Sequence, residues 1–194
     1  MGLLNLLVKK IDTPYFSILD TEAIWLIKNW DEILISHLSD KVKVIGTQAP
    51  VGSAKKQDFP LMFAALFELE FFKKLNISFK PKENSISQDT GWEIREKYLG
   101  EGYKRTILEM KNTRIFKDGP FKEVICGEYY LPGFPHIFAS HFGRDSTLGE
   151  HKYRKGFGNI YRFPIIGKYL RMKKGKEERE NWFKICKEVI NKQI

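Results

Sequence analysis

Thr13-Pro14-Tyr15-Phe16-Ser17-Ile18-Leu19-Asp20-Thr21-Glu22 is the stretch on which the fold turns. Pro14 has no N–H to give to a ladder, so it suits the first residue of a strand. Tyr15 to Leu19 is apolar but for Ser17, the composition of a strand covered on both faces. It stops on two acids one residue apart. In open α/β sheets ligands bind outside the carboxyl ends of strands, where Asp20 and Glu22 fall. Two carboxylates so spaced can share a hard divalent cation, and that cation can hold phosphate oxygens. The same residues also fit a plainer role, Asp20 capping a following helix and Glu22 lying in its first turn.

Outward from this stretch, Leu3, Leu4, Leu6, Leu7 and Ile11 predict a short helix ahead of the strand. After the acids, Leu26, Ile27, Trp30, Ile33, Leu34 and Leu38 recur at helical spacing, and a helix is expected over them. His37 would end it, where the helix dipole favours an imidazolium, a structural role. Lys43-Val44-Ile45 reads as a short strand closed by Gly46-Thr47. Residues 48–58 form a polar loop long enough for a mobile lid. The apolar run from Phe59 to Leu75 is too long for one strand and is expected to pass from strand to helix near Glu68. Ser87 opens a helix through Leu99 that Gly100 and Gly102 terminate. Tyr103–Met110 and Val124–Tyr130 are expected strands, and a hinge-like Leu131–Pro135 loop leads into His136–Arg144. Glu177 to Ile194 reads as an amphipathic helix burying Trp182, Cys186 and Val189. Alternating strands and helices of this kind predict an α/β fold.

A chain of 194 residues is long enough for a substantial core, and 42% apolar with 14% aromatic residues excludes a disordered protein. Its two cysteines, Cys126 and Cys186, lie far apart, which excludes a zinc knuckle or disulfide framework and fits a reducing compartment. No apolar run reaches the length of a membrane span, and the N-terminus has no basic leader, so a cytoplasmic location is expected. The net charge of +9 resides in residues 151–194, with 13 Lys/Arg against 4 Asp/Glu; the first 150 residues are neutral. Such a patch calls for an anionic partner: a phospholipid headgroup, a diphosphate or a nucleic acid. Tyr161 to Lys176 interleaves aromatics, aliphatics and cations, as a segment lying in a bilayer interface does; it also fits a solvated basic linker.

Three polar clusters interrupt the apolar background: Asp20-Thr21-Glu22, Asp89-Thr90-Gly91-Trp92, and Ser140-His141 with Arg144. A carboxylate at a helix start, Asp89, can act as general base toward a hydroxyl or merely cap the helix. His141, with His136 as competitor, can complete a divalent metal site or sit as a core histidine. Arg144 offers a bidentate fork to phosphate or pairs with Asp145. Trp92 can stack on a sugar or pack in the core.

Read together, these segments over residues 2–145 resemble glycosyltransferases of the GT-A fold, family 2 type. Leu3–Lys10 followed by Tyr15–Leu19 and Asp20-Thr21-Glu22 looks like the strand that ends in the family's Asp-X-Asp motif. Asp89-Thr90-Gly91-Trp92 is similar to the element bearing the catalytic base, and His136–Arg144 to the late segment whose histidine joins the metal. The resemblance implies a partial GT-A-like, Rossmann-related mixed sheet flanked by helices. The core would span residues 1–150, with 151–194 a basic linker and C-terminal helix packed on it. It further implies an inverting transfer of a sugar from a nucleotide-diphosphate donor to a hydroxyl of a glycan or lipid-linked acceptor. Asp20, Glu22 and His141 would hold Mg or Mn. Asp20, Arg144 and Trp92 would contact the donor, and Asp89 would be the base.

The sequence departs from the pattern at Glu22, where the family has Asp, and lacks the family's early nucleotide-binding βαβ units, so either a partner chain is expected to complete the nucleotide site or the protein is a reduced or truncated relative. Peripheral association with the inner membrane face is expected from the basic tail. The alternative is a non-enzymatic module binding an anionic membrane or nucleic acid through that tail, nucleic acid being the less favoured ligand. A metal-dependent nuclease fits worst, because Glu22-Ala23-Ile24-Trp25 lacks the acid-X-Lys pairing such sites use.

Overall fold

The computed structural model describes residues 3–50, 55–80, 91–143, 150–153 and 158–192. They form two compact units that take the chain in turns. The first comprises Met1–Asp20, Asn29–Glu109 and Leu131–Gly133; the second comprises Thr21–Lys28, Met110–Tyr130 and Phe134–Ile194.

In the first unit, β1 (Tyr15–Leu19) begins after Pro14, as the missing N–H requires. It pairs antiparallel with β4 (Leu61–Glu68), Tyr15 opposite Glu68 and Leu19 opposite Ala64. β4 also pairs antiparallel with β3 (Val42–Thr47), and β3 runs parallel to β5 (Lys104–Asn112). β4 passes directly into α3 (Leu69–Lys74), whose first N–H, from Leu69, donates to the Pro14 carbonyl at 2.8 Å. α1 (Leu3–Lys10), α2 (Trp30–Ser36) and α4 (Trp92–Gly100) complete the unit. Its core is aromatic: Phe16 stacks on Phe67 at 5.2 Å and meets Phe72 edge-on at 5.1 Å, and Phe72 stacks on Phe79. These rings close over Val44, Ile94 and Tyr98.

Two glycines are required by geometry. Gly46 faces Ala65 across the β3–β4 ladder so closely that a Cβ would lie 2.8 Å from the Ala65 methyl and 2.9 Å from the Ala64 carbonyl. Gly91 is the N-cap of α4 and is in the left-handed region, φ 77°, which glycine adopts without steric cost.

In the second unit, β7 (Ile137–His141) lies between β6 (Gly127–Tyr130) and β2 (Ala23–Trp25), antiparallel to both. Two 3-10 turns, Glu150–Tyr153 and Asn159–Arg162, precede the long α5 (Ile166–Lys192). Leu26, Phe121, Val124, Phe142, Trp182, Cys186 and Val189 form the core here. In the first unit the hydrogen-bonded order is β1-β4-β3-β5, a mixed sheet, and in the second it is β6-β7-β2, antiparallel, so the protein is of mixed α and β type.

Several elements differ from the sequence expectation. No helix covers 26–38; β2 follows the acids directly, Leu26 and Ile27 are buried in the connection, and α2 starts only after Asn29, which is in the left-handed region at φ 52°. Asp20 and Glu22 therefore cap no helix. Segment 161–176, expected to lie in a bilayer interface or to be a linker ahead of a helix starting at Glu177, is no linker but a turn running into α5, which begins eleven residues before Glu177. Its periodicity is masked by Gly167 and Gly175, which are small because they are buried in contacts. His37 is the C-cap of α2, its Nδ1 2.9 Å from the Ile33 carbonyl. Among the described residues no helix is long and apolar enough to cross a membrane.

Candidate metal centre

Asp20 and Glu22 flank Thr21 in the short turn that follows β1. Long-range pairing brings the histidine. Ala23 stands opposite His141 in the β2–β7 ladder, and the Phe142 N–H donates to the Glu22 carbonyl at 2.8 Å. The Asp20 N–H donates to the Phe63 carbonyl at 2.7 Å, which continues the β1–β4 ladder to the first acid. The two acids thus sit on fixed backbone.

His141 Nε2 lies 3.8 Å from Glu22 Oε1, with the side chains only 10% and 13% exposed. Among the described residues, Asp20, Glu22 and His141 each offer one ligand atom, all within 4.8 Å of one another. Two carboxylates and an imidazole are the donor set of a hard or borderline divalent ion such as Mg or Mn, and the partial burial lowers the dielectric in which they act. The donor set fits the metal expected from the sequence.

A comparison with known proteins found no matching family model, no matching curated protein and no matching solved structure. The site therefore rests on its own geometry.

The other expected site residues are placed as follows. Trp92 is half-buried at the start of α4 in the first unit. Asp89 and Arg144 lie outside the described residues, as does much of the 48–58 loop. His136 is exposed and lines a cleft of about 650 Å³ with Lys28, Tyr130, Phe134 and Lys192, all in the second unit, so of the two histidines it is His141 that joins the acids.

Sequence reasoning passed over Lys152. In a run of lysines and arginines it resembled solvated charge, yet it is 8% exposed. Its ammonium donates to the Ile125 carbonyl at 2.8 Å and lies 3.2 Å from the centroid of the Phe142 ring. Burial, the largest influence, pulls its pKa from 10.5 down to about 8, against the carboxylates of Glu178 and Glu22. Glu178 in turn accepts from the Tyr153 hydroxyl and from the Ile125 N–H at 3.3 Å. No local pattern marks a buried lysine in a basic run.

The sign of the resulting pH dependence follows from these two values. Between pH 8 and 10.5 the unfolded chain holds the Lys152 proton and the folded chain does not, so stability gained from this residue rises across that window. Below pH 8 both states are protonated and the full burial penalty remains. Urea melts should therefore show wild type gaining about 3 kcal/mol on Lys152→Met between neutral pH and the top of the window. A pH-independent difference between the two proteins would refute it. Taking the difference is necessary because Cys126, whose thiol burial pushes up to about 12, and the buried Tyr98, Tyr129 and Tyr153 oppose the trend at high pH in both proteins.

Proposed function

We propose that this protein is a metal-assisted glycosyltransferase that moves a sugar from a nucleotide-diphosphate donor to a hydroxyl acceptor. The observation that carries the reading is that His141, far later in the chain, offers a ligand atom within 4.8 Å of those of the neighbouring acids Asp20 and Glu22. The GT-A assignment belongs to the same reading; a mixed sheet with a parallel β3–β5 pair, and an acidic turn at the carboxyl end of β1, support it.

In this reading Asp20, Glu22 and His141 hold Mg or Mn, which would offset the charge that gathers on the departing diphosphate. Arg144 adds a bidentate contact to the same phosphates. Trp92 offers a face to the sugar. Asp89 takes the proton of the acceptor hydroxyl as its oxygen bonds to the anomeric carbon and the bond from that carbon to the diphosphate oxygen breaks. One displacement inverts the anomeric configuration. The acceptor is a glycan or a lipid-linked sugar.

A thermal-shift screen of nucleoside diphosphates and nucleotide sugars, with and without Mn, tests the reading. One nucleotide should raise the melting temperature only when metal is present, with a stabilisation of about 2.7 kcal/mol when the ligand is at a hundred times its Kd. A rise that is equal without metal, or no rise with any nucleotide, would overturn it.

A further inference from the structure

The segment 158–176 carries six Lys/Arg and no Asp or Glu. Within it the structure exposes five large apolar side chains. Ile165 is 84% exposed, and Ile160, Phe163, Ile166 and Tyr169 are between 51% and 68% exposed. Arg162, Lys168, Lys173 and Lys176 stand exposed around them. A cluster of this size on a folded surface marks an interaction site, because single exposed apolar residues are ordinary and a group of five is not.

The cluster is built on fixed backbone. A Cβ at Gly167 would lie 2.7 Å from the Tyr161 carbonyl oxygen and 2.8 Å from that of Ile160, so the Asn159–Arg162 turn packs directly on the first turn of α5. Arg171, 6% exposed, donates to the Tyr161 carbonyl and clasps the same turn. Further along, α5 changes character: Trp182, Cys186 and Val189 are buried in the core, and Glu177, Glu180 and Glu188 balance its lysines. Only the first turns present apolar groups ringed by cations.

We infer that this face docks onto an anionic lipid bilayer, its isoleucines and Phe163 entering the acyl boundary while Arg162, Lys168, Lys173 and Lys176 meet headgroup phosphates. Charge and side-chain type select this occupant. A second copy of the chain would set these four exposed cations against the same four across an isologous contact. A nucleic acid would satisfy the cations but leave three isoleucines with no base face to stack on. A bilayer interface takes both halves at once, and Tyr169 suits the headgroup level. The inference does not rest on the glycosyltransferase reading.

Co-sedimentation of the full chain with vesicles of equal parts phosphatidylglycerol and phosphatidylcholine tests it, against vesicles of phosphatidylcholine alone. Binding is expected on the anionic vesicles and to weaken with salt. The double variant I165S/I166S and the double variant K168E/K173E should each lower the partition coefficient by about tenfold or more. Both alter exposed residues, and Glu22→Gln should bind vesicles as wild type does, which separates this surface from the metal centre. Equal binding to neutral vesicles would overturn the inference, as would full binding by the isoleucine variant. A dimer or a nucleic-acid complex that this variant abolishes, in place of vesicle binding, would overturn it equally.

Discussion

If the protein is the metal-assisted glycosyltransferase proposed above, Glu22→Gln is expected to lower sugar transfer by about a hundredfold to a thousandfold and to remove the Mn-dependent thermal shift, while leaving the chain folded. The amide keeps the volume and one acceptor oxygen but takes a negative charge from a cluster whose ligand atoms lie within 4.8 Å of one another. Removing one preorganised electrostatic group at a developing charge costs about 3–4 kcal/mol of barrier in sites of this kind. The fold is expected to tolerate the change because the Glu22 backbone is fastened on its own account, the Phe142 N–H donating to its carbonyl at 2.8 Å. Asp20→Asn should behave alike. His141→Gln should lose the metal shift as well, since the imidazole lies 3.8 Å from Glu22 Oε1. Turnover near the wild-type rate in Glu22→Gln, measured at saturating Mn, would sink the assignment of this turn as the metal centre.

Trp182→Ala is expected to cost about 3–5 kcal/mol in urea denaturation, the range for emptying a large aromatic site in a core. The residue is 1% exposed, its ring lies 5.7 Å from Phe142 and 4.8 Å from Phe183, and its indole N–H donates to the Ser140 hydroxyl at 2.8 Å. Trp182→Phe keeps much of the volume and loses the bond, so its cost should be about 1–2 kcal/mol. Ser140 precedes His141 on β7, so the alanine variant should also weaken Mn binding, and the phenylalanine variant much less. A loss below about 1 kcal/mol for alanine would show that α5 is not part of this core.

Where the sequence carried its own punctuation, the fold was legible. Pro14 opened β1 and Asp20 closed it, so the strand was read to the residue. The passage from β4 to α3 at Glu68 was visible because the apolar run outlasted any strand. β2 was not legible. Three residues, Ala23, Ile24 and Trp25, sit in an apolar run whose spacing also fits a helix, and only pairing with β7 makes them a strand. The start of α5 was hidden for the opposite reason: Gly167 and Gly175 look like breakers, until Gly167 is seen to touch the Ile160 and Tyr161 backbone too closely for a Cβ and Gly175 is seen to be buried. For the candidate site, acids and histidine could be picked by residue type, and His141 was chosen over His136 only by the register that sets it opposite Ala23. Lys152 carried no signal, because burial is a tertiary property.

The ladder that joins β2 to β7 has a consequence for how the protein is made. β2 is an edge strand whose neighbour is β7, and the two lie far apart along the chain. On the ribosome the acidic turn therefore emerges early, and while the Phe63 carbonyl can fasten Asp20, the Glu22 backbone waits until the segment around His141 and Phe142 has been synthesised. A product released before that point carries both carboxylates and no imidazole, with the Ala23–Trp25 edge bare. For such fragments, failure to acquire metal and a tendency to stick to one another share a single origin.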